Sequence, residues 1–221
     1  MFYDKNNRKE LSGKLFVCPT SEYRGAPFWA WNDKLDKNDL LWQIEQFGKM
    51  GLGGFHMHVR SGLETPYLSD EFMELIRACV DKAEQKGMKA YLYDEDRWPS
   101  GAAGGIVTKN HEFRQRLVIF TQDLEKFGLK IKTGGKCENS GVNTTSFLHP
   151  VLLAAYDVKI HDDGFLTGYA RVPADKIVCG TKWFAVAVTM GDSGWFNGQA
   201  YIDTLSKEAM AEFIRVTYET Y

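Results

Sequence analysis

The sequence predicts an α/β protein built from four βα units, with an antiparallel β insertion between the third unit and the fourth. Three observations support this class. The buried apolar run Met88–Tyr93 ends abruptly in the acidic residues Asp94–Asp96, as a parallel strand does when it delivers charge at its carboxyl end. Apolar residues repeat at helical spacing after each of the first two strands, and short turn-rich β runs fill the middle of the chain. We therefore divide the chain into residues 1–117 (three βα units), 118–195 (the insertion) and 196–221 (the fourth βα unit).

Composition narrows the class of protein. The 221 residues are enough for a domain with a real core, and the net charge of −2 gives no reason to expect a nucleic acid or an anionic membrane as partner. The four cysteines are widely spaced and form no CxxC pair, so we expect free thiols. No apolar run approaches the roughly 20 residues of a membrane span, and the polar N-terminus has no signal-peptide core. We expect a cytoplasmic protein.

The first predicted strand lies within Arg24–Asp33 and is rich in aromatic residues. Trp29, Trp31 and Asn32 are candidates to face a ligand, and a core role for at least one tryptophan is the alternative. A helix follows, with Asp36 or Asn38 as its N-cap. Its inner face is formed by Leu40, Leu41, Ile44, Phe47 and Met50.

The second strand, Gly54–Arg60, alternates plainly between two faces. Phe55, Met57 and Val59 point one way, and His56, His58 and Arg60 point the other way. The polar set is expected to converge with Asp94 and Glu95. Two histidines at this spacing are typical of some metal sites. A contact with a neutral sugar or with a carboxylate is the alternative, since no further ligand is recognisable.

A second helix is predicted after Ser69, which is a good N-cap. Its inner face is formed by Phe72, Leu75, Ile76, Cys79, Val80 and Ala83. The strand Met88–Tyr93 and the acidic loop come next. There Arg97 can neutralise one carboxylate, and Trp98 offers a flat apolar face of the kind that stacks on a sugar ring. A solvated acidic loop is the other interpretation of this stretch.

A third helix is predicted from about Val107 to Leu117. The insertion contains four short β runs, at 118–120, 152–158, 165–170 and 183–188, with 162–164 as a hairpin turn. The strand Ala200–Leu205 then leads to a last helix capped by Ser206, with Met210, Phe213, Ile214 and Thr217 on one face. Asp203, at the end of that strand, is a further site candidate.

Several stretches resemble the N-terminal catalytic region of the α-L-rhamnosidase-like glycoside hydrolases of family 106. They are residues 24–32, 53–58, 93–101 and 201–203. The resemblance implies a (β/α)8 TIM barrel that removes terminal deoxy-sugars such as rhamnose by inversion, with a calcium ion near the sugar. Members of the family are much longer than this chain. The resemblance therefore implies only the first four βα units here, and an inactive fragment that lacks the downstream half of the barrel.

The chemistry of inversion also fits the residue types. It needs one carboxylic acid and one carboxylate about 6.5–9.5 Å apart, so one tripeptide supplies at most one of the two. Glu95 is the predicted catalytic or sugar-contacting carboxylate, and Asp94 and Asp203 are further catalytic candidates. The predicted substrate contacts are Trp29, Trp31, Asn32, His56, His58, Arg60, Asp96, Arg97 and Trp98. Two alternatives remain: a non-catalytic carbohydrate-binding remnant, and a metal-dependent hydrolase that uses His56 and His58.

Overall fold

The computed structural model describes two compact units of the chain. One is formed by Met1–Trp98 with Thr220–Tyr221, and the other by Pro99–Glu219. The described residues are 12–96, 100–131, 137–139, 147–173, 182–196 and 198–221.

The first unit contains a parallel sheet with helical connections, as predicted. Its three strands lie in the order β1-β2-β3, and both pairings are parallel. Helix α2 connects β1 to β2, and helix α3 connects β2 to β3, while the short helix α1 precedes them. In the described part of the chain this sheet does not close into a barrel. The bounds are α1 Gly13–Val17, β1 Phe28–Trp31, α2 Lys37–Lys49, β2 Gly54–Val59, α3 Asp70–Gln85 and β3 Lys89–Leu92.

Both connecting helices begin at the N-caps that the sequence indicates. The Asp36 carboxylate accepts hydrogen bonds from the backbone N–H groups of Asn38 and Asp39, so Asp36 is the cap of α2. The Ser69 hydroxyl accepts from the N–H of Phe72 at the start of α3. These bonds satisfy N–H groups that have no partner within the helix.

The core of the first unit lies between the sheet and the inner faces of α2 and α3. Two residues that were predicted to lie on the inner faces of these helices, Met50 and Val80, are exposed instead. Met50 is 70% exposed, because it follows the last residue of α2 where the chain turns away, and Val80 is exposed at the edge of the apolar stripe of α3. The buried apolar residues are Trp29, Trp31, Leu40, Ile44, Phe55, Met57, Val59, Phe72, Leu75, Ile76, Cys79, Ala83 and Met88.

The second unit contains an antiparallel sheet, as predicted for the insertion. Four strands lie in the order β4-β9-β7-β8, and β5 and β6 form a separate pair. Between β7 and β8 the N–H of Phe165 donates to Asp163, which confirms the predicted turn. The bounds are β4 Arg116–Thr121, β5 Leu129–Ile131, β6 Cys137–Asn139, β7 Phe147–Ile160, β8 Leu166–Val172 and β9 Lys182–Met190. The buried core residues are Leu124, Phe127, Leu129, Ala155, Phe184, Val186 and Val188.

The helix predicted from Val107 to Leu117 is wrong. Short 3-10 turns at Val107–Lys109 and His111–Phe113 occupy this stretch, and β4 begins at Arg116. Asn110 interrupts the helix because its backbone is extended and its side chain accepts from the N–H of Glu112. The apolar spacing predicted a helix, but a capping asparagine starts a new turn instead.

The strand predicted at Ala200–Leu205 is also wrong. Ile202 makes one isolated antiparallel bridge with Arg114, and Asp203 forms a turn in which its carboxylate accepts from the N–H of Leu205. The last helix, α4 (Lys207–Val216), therefore follows a turn, with Ser206 as its cap. Ile214 lies exposed at the edge of its apolar face. The boundaries drawn at 117/118 and 195/196 stay predictions.

Candidate functional site

One face of the parallel sheet carries an aromatic and imidazole cluster. The register pairs Phe28 with His56 and His56 with Tyr91, so the three side chains share the face that points away from the helices. The imidazole of His56 stacks on Tyr91 with ring centroids 4.6 Å apart. The His58 ring meets Tyr93 edge-on at 4.5 Å, and Phe28 lies 5.2 Å from both histidine rings. We call these five side chains the ring cluster.

The ring cluster adjoins a buried carboxylate. His58 Nε2 lies 2.7 Å from Glu95 Oε1, and the two side chains are only 10% and 2% exposed. The predicted convergence of the strand histidines with the acidic loop is therefore confirmed for this pair. A carboxylate removed from water is stable only with a hydrogen-bonded partner. His58 supplies that partner and fixes the direction in which the carboxylate points.

The second strand histidine is held by the backbone. His56 Nδ1 lies 3.1 Å from the carbonyl oxygen of Ala26. Because a carbonyl oxygen only accepts, Nδ1 carries the proton and Nε2 of the neutral ring carries the lone pair. In that tautomer, His56 Nε2 is a hydrogen-bond acceptor.

The neighbouring carboxylates influence two tyrosines. Tyr221 donates a hydrogen bond of 3.3 Å to the hydroxyl of Tyr67. Burial raises the pKa of Tyr67, and the adjacent Tyr221 and the charges of Asp96 and Asp94 add to this effect. Burial likewise raises the pKa of Tyr221 to about 12, and the charges of Asp94 and Asp96 act in the same direction. Both hydroxyls are therefore neutral donors beside the acidic loop.

The two tryptophans of β1 do not lie on the ring-cluster face. Trp31 is 1% exposed, and its ring meets Phe72 edge-on at 5.6 Å. Trp29 is also buried, and its Nε1 donates to Gln43 of α2. The structure assigns both to the core, so the prediction that they stack on a sugar is corrected. Alternation along β1 sends them to the helices and sends Phe28 to the opposite face.

The remaining predicted contacts are spread over the chain. Asn32 and Arg60 are exposed and directly follow β1 and β2, whose carboxyl ends meet at one edge of a parallel sheet. Asp96 is buried in the acidic loop. Asp203 belongs to the second unit, where it forms the turn before α4. Arg97 and Trp98 lie outside the described residues.

Calcium enters only through the resemblance. Calcium takes six to eight oxygen ligands. In the acidic loop, Asp94 and Asp96 carry carboxylate oxygens of this kind. In the described ranges, no three or more His, Cys, Asp or Glu side chains are grouped so as to hold a metal ion. Calcium stays a prediction that follows from the resemblance.

Sequence reasoning missed Phe28, Tyr91, Tyr93 and Tyr67. The first three had a readable signal, because they follow the same two-residue alternation as the histidines. Tyr67 had no such signal, since it lies in the loop before α3 and its neighbours come from distant parts of the chain.

Of the comparisons with known proteins, only the one with solved structures gives a match. No protein-family model matches the chain, and no curated protein matches it. Among solved structures, a rhamnosidase from Novosphingobium sp. PP1Y matches with a TM-score of 0.43 and 14% sequence identity. The match covers 69% of this chain, and the chain spans 17% of that protein's length. In the described part of the chain, every helix is too short or too polar to cross a lipid bilayer.

Proposed function

We propose that this chain is part of a glycoside hydrolase that removes terminal deoxy-sugar residues such as rhamnose, with inversion at the anomeric carbon. The motifs that resemble family 106 suggest the substrate class. The observation that carries the proposal is the buried Glu95–His58 pair, held at 2.7 Å beside the ring cluster. Glycoside hydrolysis by inversion requires two carboxyl groups, and the fixed Glu95 carboxylate can supply one of them.

Glu95 acts as one of the two catalytic carboxylates. The His58 Nε2–H donates to Oε1, which leaves Oε2 to exchange a proton with water or with the leaving oxygen. Because Glu95 is almost fully buried, water screens its charge only weakly, and the position of the proton has a large effect on the reacting groups.

The ring cluster binds the sugar. Phe28 is the most exposed of its rings and provides an apolar face for the C–H groups of a deoxy-sugar. His56 Nε2 accepts from a hydroxyl group, because its Nδ1–H is engaged with Ala26. The two together select a ligand with one apolar face and hydroxyls at its edge. Rhamnose, with its methyl group, has this character.

The test measures the kinetics of the natural full-length protein with an aryl α-L-rhamnoside as substrate. Glu95→Gln should lower kcat by about 10²–10⁴-fold, as loss of a general acid or base does, with little change in KM. Glu84→Gln is the matched control, because Glu84 is exposed on α3 of the same unit. Kinetics of Glu95→Gln within twofold of the parent would remove Glu95 from the reaction.

Two further measurements separate the two alternatives. Binding of L-rhamnose that perturbs the Phe28 and His56 resonances, without turnover of any rhamnoside, would show a binding module. Activity that a chelator abolishes and zinc restores, while calcium does not, would show a metal-dependent hydrolase. Either result would overturn the mechanism proposed here.

A further inference from the structure

Two histidines of the second unit form a pair that the proposed function does not use. His111, in the turn before β4, and His149, in β7, come from distant parts of the chain. Nδ1 of His111 lies 3.4 Å from Nε2 of His149. Both side chains are exposed in an open groove of about 380 Å³, which Glu112, Arg116 and Thr189 also line.

The distance between the two nitrogens suits a shared metal ion. Without an ion the two rings share a long hydrogen bond, since donor–acceptor distances with N–H donors usually lie at about 2.7–3.2 Å, and a bound ion would take the place of the shared proton. Two zinc–nitrogen bonds of about 2.0–2.1 Å at a tetrahedral angle place the ligand nitrogens about 3.3–3.4 Å apart. The rings therefore already hold the separation that a tetrahedral ion requires.

The backbone at His149 departs from regular strand geometry. The pairing of β7 with β9 shifts between Leu148 and Val151, so His149 and Pro150 form a bulge. His149 has a φ of +51°, in the left-handed region that residues other than glycine seldom adopt. Bulges re-aim side chains, and strained backbone is concentrated at functional sites. An ordinary strand position would not need this conformation.

We propose that His111 and His149 bind one divalent transition-metal ion of the kind that prefers imidazole, such as Zn²⁺ or Ni²⁺. Imidazole nitrogen is a preferred ligand for these ions. In the described part of the chain no third His, Cys, Asp or Glu completes the set, so water molecules fill the other positions. Glu112 and Arg116 carry opposite charges and line the same groove. Both histidines belong to the second unit, and the proposal does not depend on the proposed function.

The experiment titrates the whole chain with Ni²⁺ or Zn²⁺ by calorimetry and follows histidine side chains by NMR. We expect one equivalent to bind, with Ni²⁺ broadening the His111 and His149 resonances first. His111→Gln and His149→Asn should each weaken binding at least about tenfold, because even outer-sphere partners of a metal contribute about 10–100-fold. Asparagine is chosen at 149 because it tolerates the left-handed backbone that alanine resists.

His161→Gln is the matched control. His161 is exposed in the hairpin of the same unit, with Nδ1 2.9 Å from Asp163, and its loss should leave stoichiometry and affinity unchanged. An unchanged melting temperature of each variant without metal shows that the fold survives. Absence of binding at millimolar metal, parental affinity in the double variant, or broadening that begins at other histidines or at the cysteines would each overturn the proposal.

Discussion

Replacing Trp31 by alanine tests whether the tryptophans of β1 belong to the core or to a sugar site. Trp31 is 1% exposed and packs edge-on against Trp29 and Phe72 at 5.5 and 5.6 Å. Truncating a buried tryptophan costs about 3–5 kcal/mol, because the cavity refills only in part. With a urea m-value of about 2 kcal/mol/M, a loss of about 4 kcal/mol lowers the unfolding midpoint by about 2 M.

The assay is urea unfolding followed by far-ultraviolet circular dichroism. Trp42→Ala is the control, because Trp42 is 61% exposed on α2 and its loss should cost no more than about 0.5 kcal/mol. Trp31→Phe should cost much less than Trp31→Ala, since the buried Nε1 has no hydrogen-bond partner to lose among the described atoms. If Trp31→Ala leaves the midpoint where Trp42→Ala does, yet weakens rhamnoside binding, the assignment to the core is wrong.

Two further predictions concern stability. Gly101→Ala should lower the free energy of unfolding by about 1–3 kcal/mol, because the backbone φ of +116° suits glycine and a Cβ would stand 2.5 Å from the Tyr201 ring. Calorimetric melting measures this loss. Gly194→Ala is the control and should show no such loss, because a Cβ at Gly194 meets open space. The pKa of Tyr221 is raised from 10.0 to about 12, so its neutral form stabilises the fold below about pH 10 and that contribution disappears as pH rises to about 12. Urea unfolding at alkaline pH should show this decline in the parent and a flatter one in Tyr67→Phe/Tyr221→Phe.

Much of the first unit could be predicted because its signals are local. Asp36 and Ser69 cap the helices that follow them, and the bonds they accept involve residues two or three positions away. The alternation of Phe55 and Met57 with the histidines likewise needs only the pleat of one strand. Features of this kind are encoded within a few residues, so a single sequence reveals them.

Other features depend on residues far apart in the chain. The apolar spacing of 107–117 fits a helix, but the capping bond of Asn110 and the pairing of Arg116 with Thr189 of β9 stabilise another structure. The hydrogen bond between Tyr67 and Tyr221 links residues that are 154 positions apart in the sequence. No local pattern indicates such contacts, because each partner is ordinary in its own sequence neighbourhood.

The tryptophans of β1 lie between these two cases. Taken alone, β1 carries aromatic residues on both faces, Phe28 on one and Trp29 and Trp31 on the other, and either face is able to carry a ligand. The register decides the question, because Trp29 pairs with Met57 and so shares the apolar face of β2, while Phe28 pairs with His56. Paired residues of neighbouring parallel strands point the same way, so the face that holds the histidines must hold Phe28. The apolar surface beside Glu95 therefore comes from one exposed phenylalanine and two tyrosines, and in the proposed sugar site Phe28 takes the stacking role predicted for the tryptophans.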